Sequence, residues 1–270
     1  MKKASIYTLL VLLLISGFLI LTHGVFAEAK YPAAPAKSPK TNGKLRVDAN
    51  HTNDGYFLAS INKKSKKRMK MRVVKGNITL TYDINSNAEY ECFPFQLGNG
   101  KYEISLYENI SGKKYSAAGK INVSVKLTDP NGPFLYPNQY VNYNAETKAV
   151  QQADKLCKNK KPKEAFNEIC SFMKTFGYDF LKANTIKAGE LPDIDGSYNK
   201  RMGVCQDLSA IMIAMLRSQG IPSKLMIGYA GKQYHAWTVT IINGEEVFYD
   251  PTAALNAITK TKSYTVERYY

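Results

Sequence analysis

Residues 203–222 read GVCQDLSAIMIAMLRSQGIP. Leu208, Ile211, Met212, Met215 and Leu216 recur at i, i+3, i+4, i+7 and i+8, the spacing of one buried helix face. Gly220 followed by Ile221-Pro222 is a stop signal, because glycine accepts the left-handed cap and proline cannot continue the helix. The methionines of this stripe read as core packing. Gly203-Val204-Cys205 precedes it, so Cys205 falls at or just inside the helix N-terminus. The first N–H groups of a helix have no intrahelical acceptor, and the positive end of its dipole lies there. Both favour an anionic sulfur at such a position.

Downstream, Lys224–Tyr229 and His235–Ile242 read as strands. Asn243-Gly244 is a strong two-residue hairpin signal, and Glu245–Tyr249 follows as the return strand. If Ile242 pairs with Glu245, Trp237 falls opposite Asp250. His235 then shares a sheet face with Trp237 and is a diagonal neighbour of Asp250, about 7–8 Å away between backbone positions. Pro251 ends the strand. Once residues 1–27 are set aside, His51 and His235 are the only histidines, and His51 lies in a different part of the chain.

A thiol at a helix start with an imidazole and a carboxylate on one hairpin are the parts of a nucleophile, base and orienter. Cysteine supplies the nucleophile. Histidine takes its proton and later protonates the leaving amine, and aspartate fixes the ring tautomer. The backbone N–H of Cys205 is a candidate oxyanion donor. Each residue alone also has a packing role: a core cysteine, a packed strand histidine, a turn aspartate. A Cys/His/Asp metal site would have only three ligands and no CxxC or HxxxH pair. No glycine-rich phosphate loop or four-ligand metal site is present, so no cofactor is implied.

The rest of the chain divides near residue 130. Residues 1–27 carry Lys2 and Lys3, an apolar run from Leu9 to Leu21, and Val25-Phe26-Ala27. This reads as a secretory signal peptide, with an uncleaved anchor helix as the alternative. Residues 28–43 are rich in Pro, Ala and Lys and read as a flexible or extended linker. In 44–130 the runs Lys44–Val47, Tyr56–Ile61, Met69–Val74, Ile78–Tyr82, Glu89–Phe95, Tyr102–Tyr107 and Ile121–Leu127 alternate between turn signals. They point to an immunoglobulin-like β-sandwich. From Ala145 the period becomes helical. Val150, Ala153, Leu156 and Cys157 mark one helix face, and Phe166, Ile169, Cys170 and Met173 mark another, which starts at Pro162. Cys157 and Cys170 could pair if those faces meet, and Cys92 reads as a small buried hydrophobe. Residues 177–201 read as a long irregular segment, the kind that forms one wall of a site.

At this point the chain resembles the bacterial transglutaminase-like superfamily. The resemblance rests on Gly203-Val204-Cys205-Gln206-Asp207, Gly220-Ile221-Pro222, His235-Ala236-Trp237 and Asp250-Pro251-Thr252, and on the order Cys, His, Asp. It covers roughly residues 140–255. It implies a papain-like α+β core in residues 131–270, with Cys205 as nucleophile, His235 as general base and acid, Asp250 as its orienter, and Trp237 beside the site as a substrate contact. The superfamily includes crosslinking transglutaminases, cysteine peptidases and peptide N-glycanases. Members often carry a Trp shortly before Asp-Pro-Thr, whereas this chain has Phe248 and Tyr249. The β-module also resembles one that precedes such domains in some exported bacterial proteins.

The resemblance implies an exported thiol enzyme. Water as acyl acceptor makes it a cysteine peptidase or amidase, and a lysine amine makes it a crosslinking transglutaminase. A non-catalytic wall-associated binding protein would reuse the same fold. The substrate is a protein or peptide, with cell-wall peptides as one class. The formal charge of +15 does not mark a nucleic-acid partner in an exported protein. Residues 28–130 hold 18 Lys plus Arg against 9 acids, and residues 131–270 hold 17 against 13. The excess therefore sits on the linker and β-module, especially Lys63–Arg72, where it either guards a strand edge or adheres to an anionic cell-envelope polymer.

Overall fold

A computed structural model describes residues 28–255 and 263–270. The region read as a signal peptide lies outside the described residues. The N-terminal half is built from eight strands: β1 (Lys40–Asn42), β2 (Leu45–Asp48), β3 (Tyr56–Ile61), β4 (Met69–Lys75), β5 (Ile78–Ile84), β6 (Glu91–Pro94), β7 (Gly100–Ser111) and β8 (Lys114–Val125). They form two antiparallel four-stranded sheets, ordered β1-β2-β3-β6 and β5-β4-β7-β8. Leu45, Val47, Phe57 and Phe93 from one sheet and Met71, Val73, Ile104 and Leu106 from the other are all 0% exposed in one cluster. The result is a β-sandwich.

Two features of this half differ from the sequence reading. The segment read as a linker lies against the sandwich. The Ala33 N–H donates to Tyr56 Oη at 3.0 Å, the Ala36 N–H donates to Asp48 Oδ2 at 2.8 Å, and Lys40–Asn42 pairs with β2. Its prolines hold the extended backbone that such docking needs. The strands read at Tyr102–Tyr107 and Ile121–Leu127 are the inner parts of a long hairpin that turns at Gly112-Lys113. Towards that turn both faces of the ribbon meet solvent, so the apolar alternation that marks a strand is lost there.

The C-terminal half continues with α1 (Lys148–Leu156), α2 (Pro162–Met173), β9 (Gly177–Tyr178), α3 (Phe180–Thr185), α4 (Ile194–Lys200), β10 (Met202–Gly203), α5 (Cys205–Ser218), β11 (Ser223–Ala230), β12 (Gln233–Ile242), β13 (Glu245–Tyr249), α6 (Pro251–Ala254) and β14 (Tyr264–Tyr269). An antiparallel sheet, β13-β12-β11-β14, backs α5, with α1 and α2 on the helix's other sides. This is an α+β core, a buried helix packed on an antiparallel sheet. Leu208, Ile211, Met212, Met215 and Leu216 are each 0% exposed. Burying a side chain of this size is worth about 1.5–3 kcal/mol, so the helix that carries Cys205 is firmly held. The whole turnable surface from Asp207 to Ser218 is buried, not one stripe alone.

The segment 177–201, read as irregular, holds the short helices α3 and α4. Both are too short to show periodicity. They are started by Asp179 and Asp193, whose carboxylates accept the N–H groups of Lys182 and Gly196. Cys157 and Cys170 are free thiols, as are Cys92 and Cys205. Cys157 caps α1, and its thiol points at the backbone of α2, approaching the Ala165 carbonyl at 3.8 Å. The two halves share one apolar cluster. Arg217, on α5 and 0% exposed, ties the C-terminal half together by donating to the carbonyls of Tyr136, Ser223 and Tyr270.

Candidate active site

Cys205 opens α5. Its position is set by Asp207, which is 0% exposed. That carboxylate accepts from the Val204 N–H at 3.1 Å and the Asp193 N–H at 2.9 Å, and pairs with Lys182 Nζ at 2.8 Å. The helix start is thus pinned to the loop before α4 and to α3. Gly203 makes the approach possible: a Cβ there would stand 2.8 Å from Asp207 Cβ and 3.3 Å from Ser197 Cβ. These supports were not read from the sequence, although Asp207 three residues after Val204 fits a helix-start pattern.

His235 and Asp250 come from the β12–β13 hairpin. The pairing is Ile242 with Glu245 through to Thr238 with Tyr249, the register deduced from Asn243-Gly244. Asn243 and Gly244 have φ of 54° and 84°, as a tight hairpin turn requires. Asp250 lies one step past the last rung and caps α6. Its Oδ1 accepts the N–H groups of Thr252 at 2.9 Å and Ala253 at 3.0 Å. Its Oδ2 accepts from His235 Nε2 at 2.9 Å and from Tyr264 Oη at 2.8 Å. The His235 and Asp250 side chains are only 1% and 2% exposed.

The electrostatics follow from this packing. Burial opposes a charge on His235, but hydrogen bonds and charge interactions with Asp250 and Cys205 outweigh it and lift the pKa from 6.5 to about 9. Burial likewise opposes ionisation of Asp250, yet His235, the Ala253 N–H and Tyr264 together hold its pKa below the ordinary carboxylate value. His235 Nδ1 is buried with no aligned hydrogen-bond partner among the described residues. One ring nitrogen is therefore committed to Asp250, while the ring also interacts with Cys205. Cys205 is half-buried, so it can be reached from solvent.

Cys205 and His235 lie in a cleft of about 700 Å³. One wall is Tyr178, Phe180 and the segment 183–190. The other is formed by Ile227, Tyr234 and Arg268 at the sheet end. The segment 177–201 thus does form a wall of the site. Trp237, expected beside the site as a substrate contact, is not among the residues that line this cleft. It is 2% exposed and lies beneath the site, stacked 6.3 Å from the His235 ring and edge-on to Tyr264 at 5.0 Å. His235 and Trp237 share a face, as the strand alternation requires, but that face is covered. Phe248 and Tyr249 also stay out of the cleft. Phe248 packs on Tyr264 at 4.8 Å, and Tyr249 packs on Phe166 at 6.1 Å. Tyr264 was missed in the sequence. The alternating run Tyr264-Thr265-Val266-Glu267-Arg268-Tyr269 was the available signal. Among the described residues no group of three or more His, Cys, Asp or Glu side chains is placed to hold a metal ion.

The site thus places a helix-borne cysteine in an open cleft beside a buried His–Asp pair. Residues 148–251 match the family model of the Transglutaminase-like superfamily. Solved structures that the chain matches include a candidate cysteine protease from Cytophaga hutchinsonii, with 18% identity, 73% of this chain and 78% of that chain covered, and a TM-score of 0.40. The periplasmic domain of TgpA from Pseudomonas aeruginosa, solved with ethylmercury bound, has 15% identity, 84% and 78% coverage, and a TM-score of 0.39. Red sea bream transglutaminase has 12% identity, 78% and 48% coverage, and a TM-score of 0.33. No curated protein matches the chain by sequence.

Proposed function

We propose that this protein is an exported thiol enzyme that cleaves a peptide or glutamine carboxamide bond through a thioester on Cys205, with water as the acyl acceptor. The observation that carries this reading is the 2.9 Å hydrogen bond from His235 Nε2 to Asp250. It leaves Nδ1 without an aligned partner on a ring that interacts with Cys205.

In the first step Cys205 Sγ bonds to the carbonyl carbon and its proton passes to His235 Nδ1. The carbonyl oxygen takes the negative charge, and the first-turn N–H groups of α5 are the donors available to it. The C–N bond then breaks, and the amine leaves with the proton from Nδ1. Water attacks the thioester, gives a proton to Nδ1, and the proton returns to sulfur as the carboxylic acid departs. The balance is amide plus water giving acid plus amine. Asp250 stabilises the imidazolium throughout and does not itself take the proton. The half-exposed position of Cys205 in an open cleft supports water as acceptor.

The test uses a fluorescent primary amine with a glutamine-containing protein. New amino termini or released ammonia without amine incorporation are expected. Incorporation of the amine would replace hydrolysis by crosslinking. Export and adhesion belong to the same proposal. Lys63, Lys64, Lys66, Lys67 and Arg68 are exposed on the β3–β4 loop. Binding of the β-module to an anionic envelope polymer is expected to weaken as salt rises.

A further inference from the structure

Tyr264 has no part in the scheme above, yet it touches the machinery. Its hydroxyl donates to Asp250 Oδ2 at 2.8 Å, the same oxygen that accepts from His235 Nε2 at 2.9 Å. Its ring stands edge-on to Trp237 at 5.0 Å and to Phe248 at 4.8 Å, and lies 6.4 Å from the His235 ring. Burial, and then the Asp250 carboxylate beside it, push the phenol pKa up, so this hydroxyl is a donor at any working pH. It arrives on β14, which pairs with β11 and not with the hairpin that carries His235 and Asp250. A separate strand of the chain therefore reaches across to the pair.

We propose that Tyr264 is a positioning residue for the His235–Asp250 pair: its hydroxyl pins the Asp250 oxygen that orients the imidazole, and its ring covers the pair. This rests on the reading of Cys205 as the nucleophile. A carboxylate oxygen with two donors divides its accepting capacity between them. With Oδ1 held by the α6 N–H groups and Oδ2 held by Tyr264, the carboxylate has one orientation. The imidazole that it holds then has one tautomer and one ring position. Without the hydroxyl, Oδ2 belongs to His235 alone. The imidazolium keeps its proton to higher pH, and the carboxylate loses one of its constraints. The titratable groups facing His235 are Cys205 at the start of α5, Asp250 and Tyr264, and Tyr249 also faces Asp250.

The experiment is carried out on the full chain and needs no substrate. Iodoacetamide alkylation of Cys205 is followed by peptide mass spectrometry from about pH 5 to about pH 10 in the parent and in Tyr264→Phe. The alkaline midpoint, where imidazolium is lost, is expected to rise by about half a unit in the variant while Tm stays within a few degrees. 3-Fluorotyrosine at position 264 is a stronger donor of nearly the same size, and is expected to lower that midpoint. It keeps the test open if Tyr264→Phe fails to fold. Superimposable profiles would overturn the proposal, because a merely structural contact moves Tm but not the midpoint. A parent Cys205 that titrates as an ordinary thiol would instead overturn the reading of Cys205 itself, which is a distinct result.

Discussion

Asp250→Asn separates two duties that one carboxylate performs. Oδ1 caps α6, and Oδ2 receives His235 and Tyr264. Asparagine has one acceptor oxygen and cannot do both. If the oxygen stays on the cap, as a good helix N-cap residue should, the NH₂ group faces His235 Nε2. The ring then shifts its proton to Nδ1 and can no longer receive the proton of Cys205. Loss of the orienting carboxylate by this route costs on the order of 10³–10⁴-fold in turnover. If the amide turns over instead, the cap is lost at about 1 kcal/mol of stability. In both cases the charge that holds the imidazolium is gone.

The size of that last effect follows from the raised pKa. His235 stands at about 9 against an ordinary 6.5. Its folded-state pKa is raised, so its contribution to stability is fully present below 6.5 and is lost as pH rises through about 9. The full shift corresponds to about 3 kcal/mol. Urea unfolding of the parent at about pH 6 and about pH 9.5 is therefore expected to show a loss of that order. In Asp250→Asn burial remains and the opposing carboxylate does not, so most of the difference should disappear. Equal pH dependence in parent and variant, with turnover preserved, would refute the coupling of His235 to Asp250.

Two further perturbations test the supports of the site. Gly203→Ala forces a Cβ to 2.8 Å from Asp207 Cβ. It is expected to cost about 1–3 kcal/mol by overpacking, and to lower Cys205 alkylation more than its Tm shift alone accounts for. Arg217→Met removes the donors to three buried carbonyls. It is expected to destabilise the chain by about 3–5 kcal/mol in urea unfolding, with kcat per folded molecule nearly unchanged.

The parts of this fold that were legible in the sequence were those with a strong local period or a strong turn. The α5 stripe marked a buried helix, and Asn243-Gly244 set a hairpin register that brings His235 and Asp250 within 2.9 Å. The α3 and α4 helices were not legible, because six or seven residues show no period and their aspartate caps also read as turns. The outer parts of β7 and β8 were missed because a ribbon wet on both faces has no apolar alternation. Trp237 was placed on the right face of its strand, but nothing in a one-dimensional pattern says whether a face meets a cleft or a neighbouring ring. Tyr264 and Asp207 show the same limit from the other side. Each acts on a residue in another element, a contact that only the folded chain creates.

The central claim is that His235 activates Cys205, and thiol reactivity tests it most directly. Iodoacetamide labelling at about pH 6, resolved by peptide, compares Cys205 with Cys92 in the parent and Cys205 between the parent and His235→Ala. Burial pushes the Cys92 thiol pKa up, which makes it an unreactive internal reference. Cys205 is expected to label at least about tenfold faster than Cys92, and to lose at least about tenfold in rate when His235 is removed. Labelling of Cys205 at the rate of Cys92, or at the same rate with and without His235, would contradict the account.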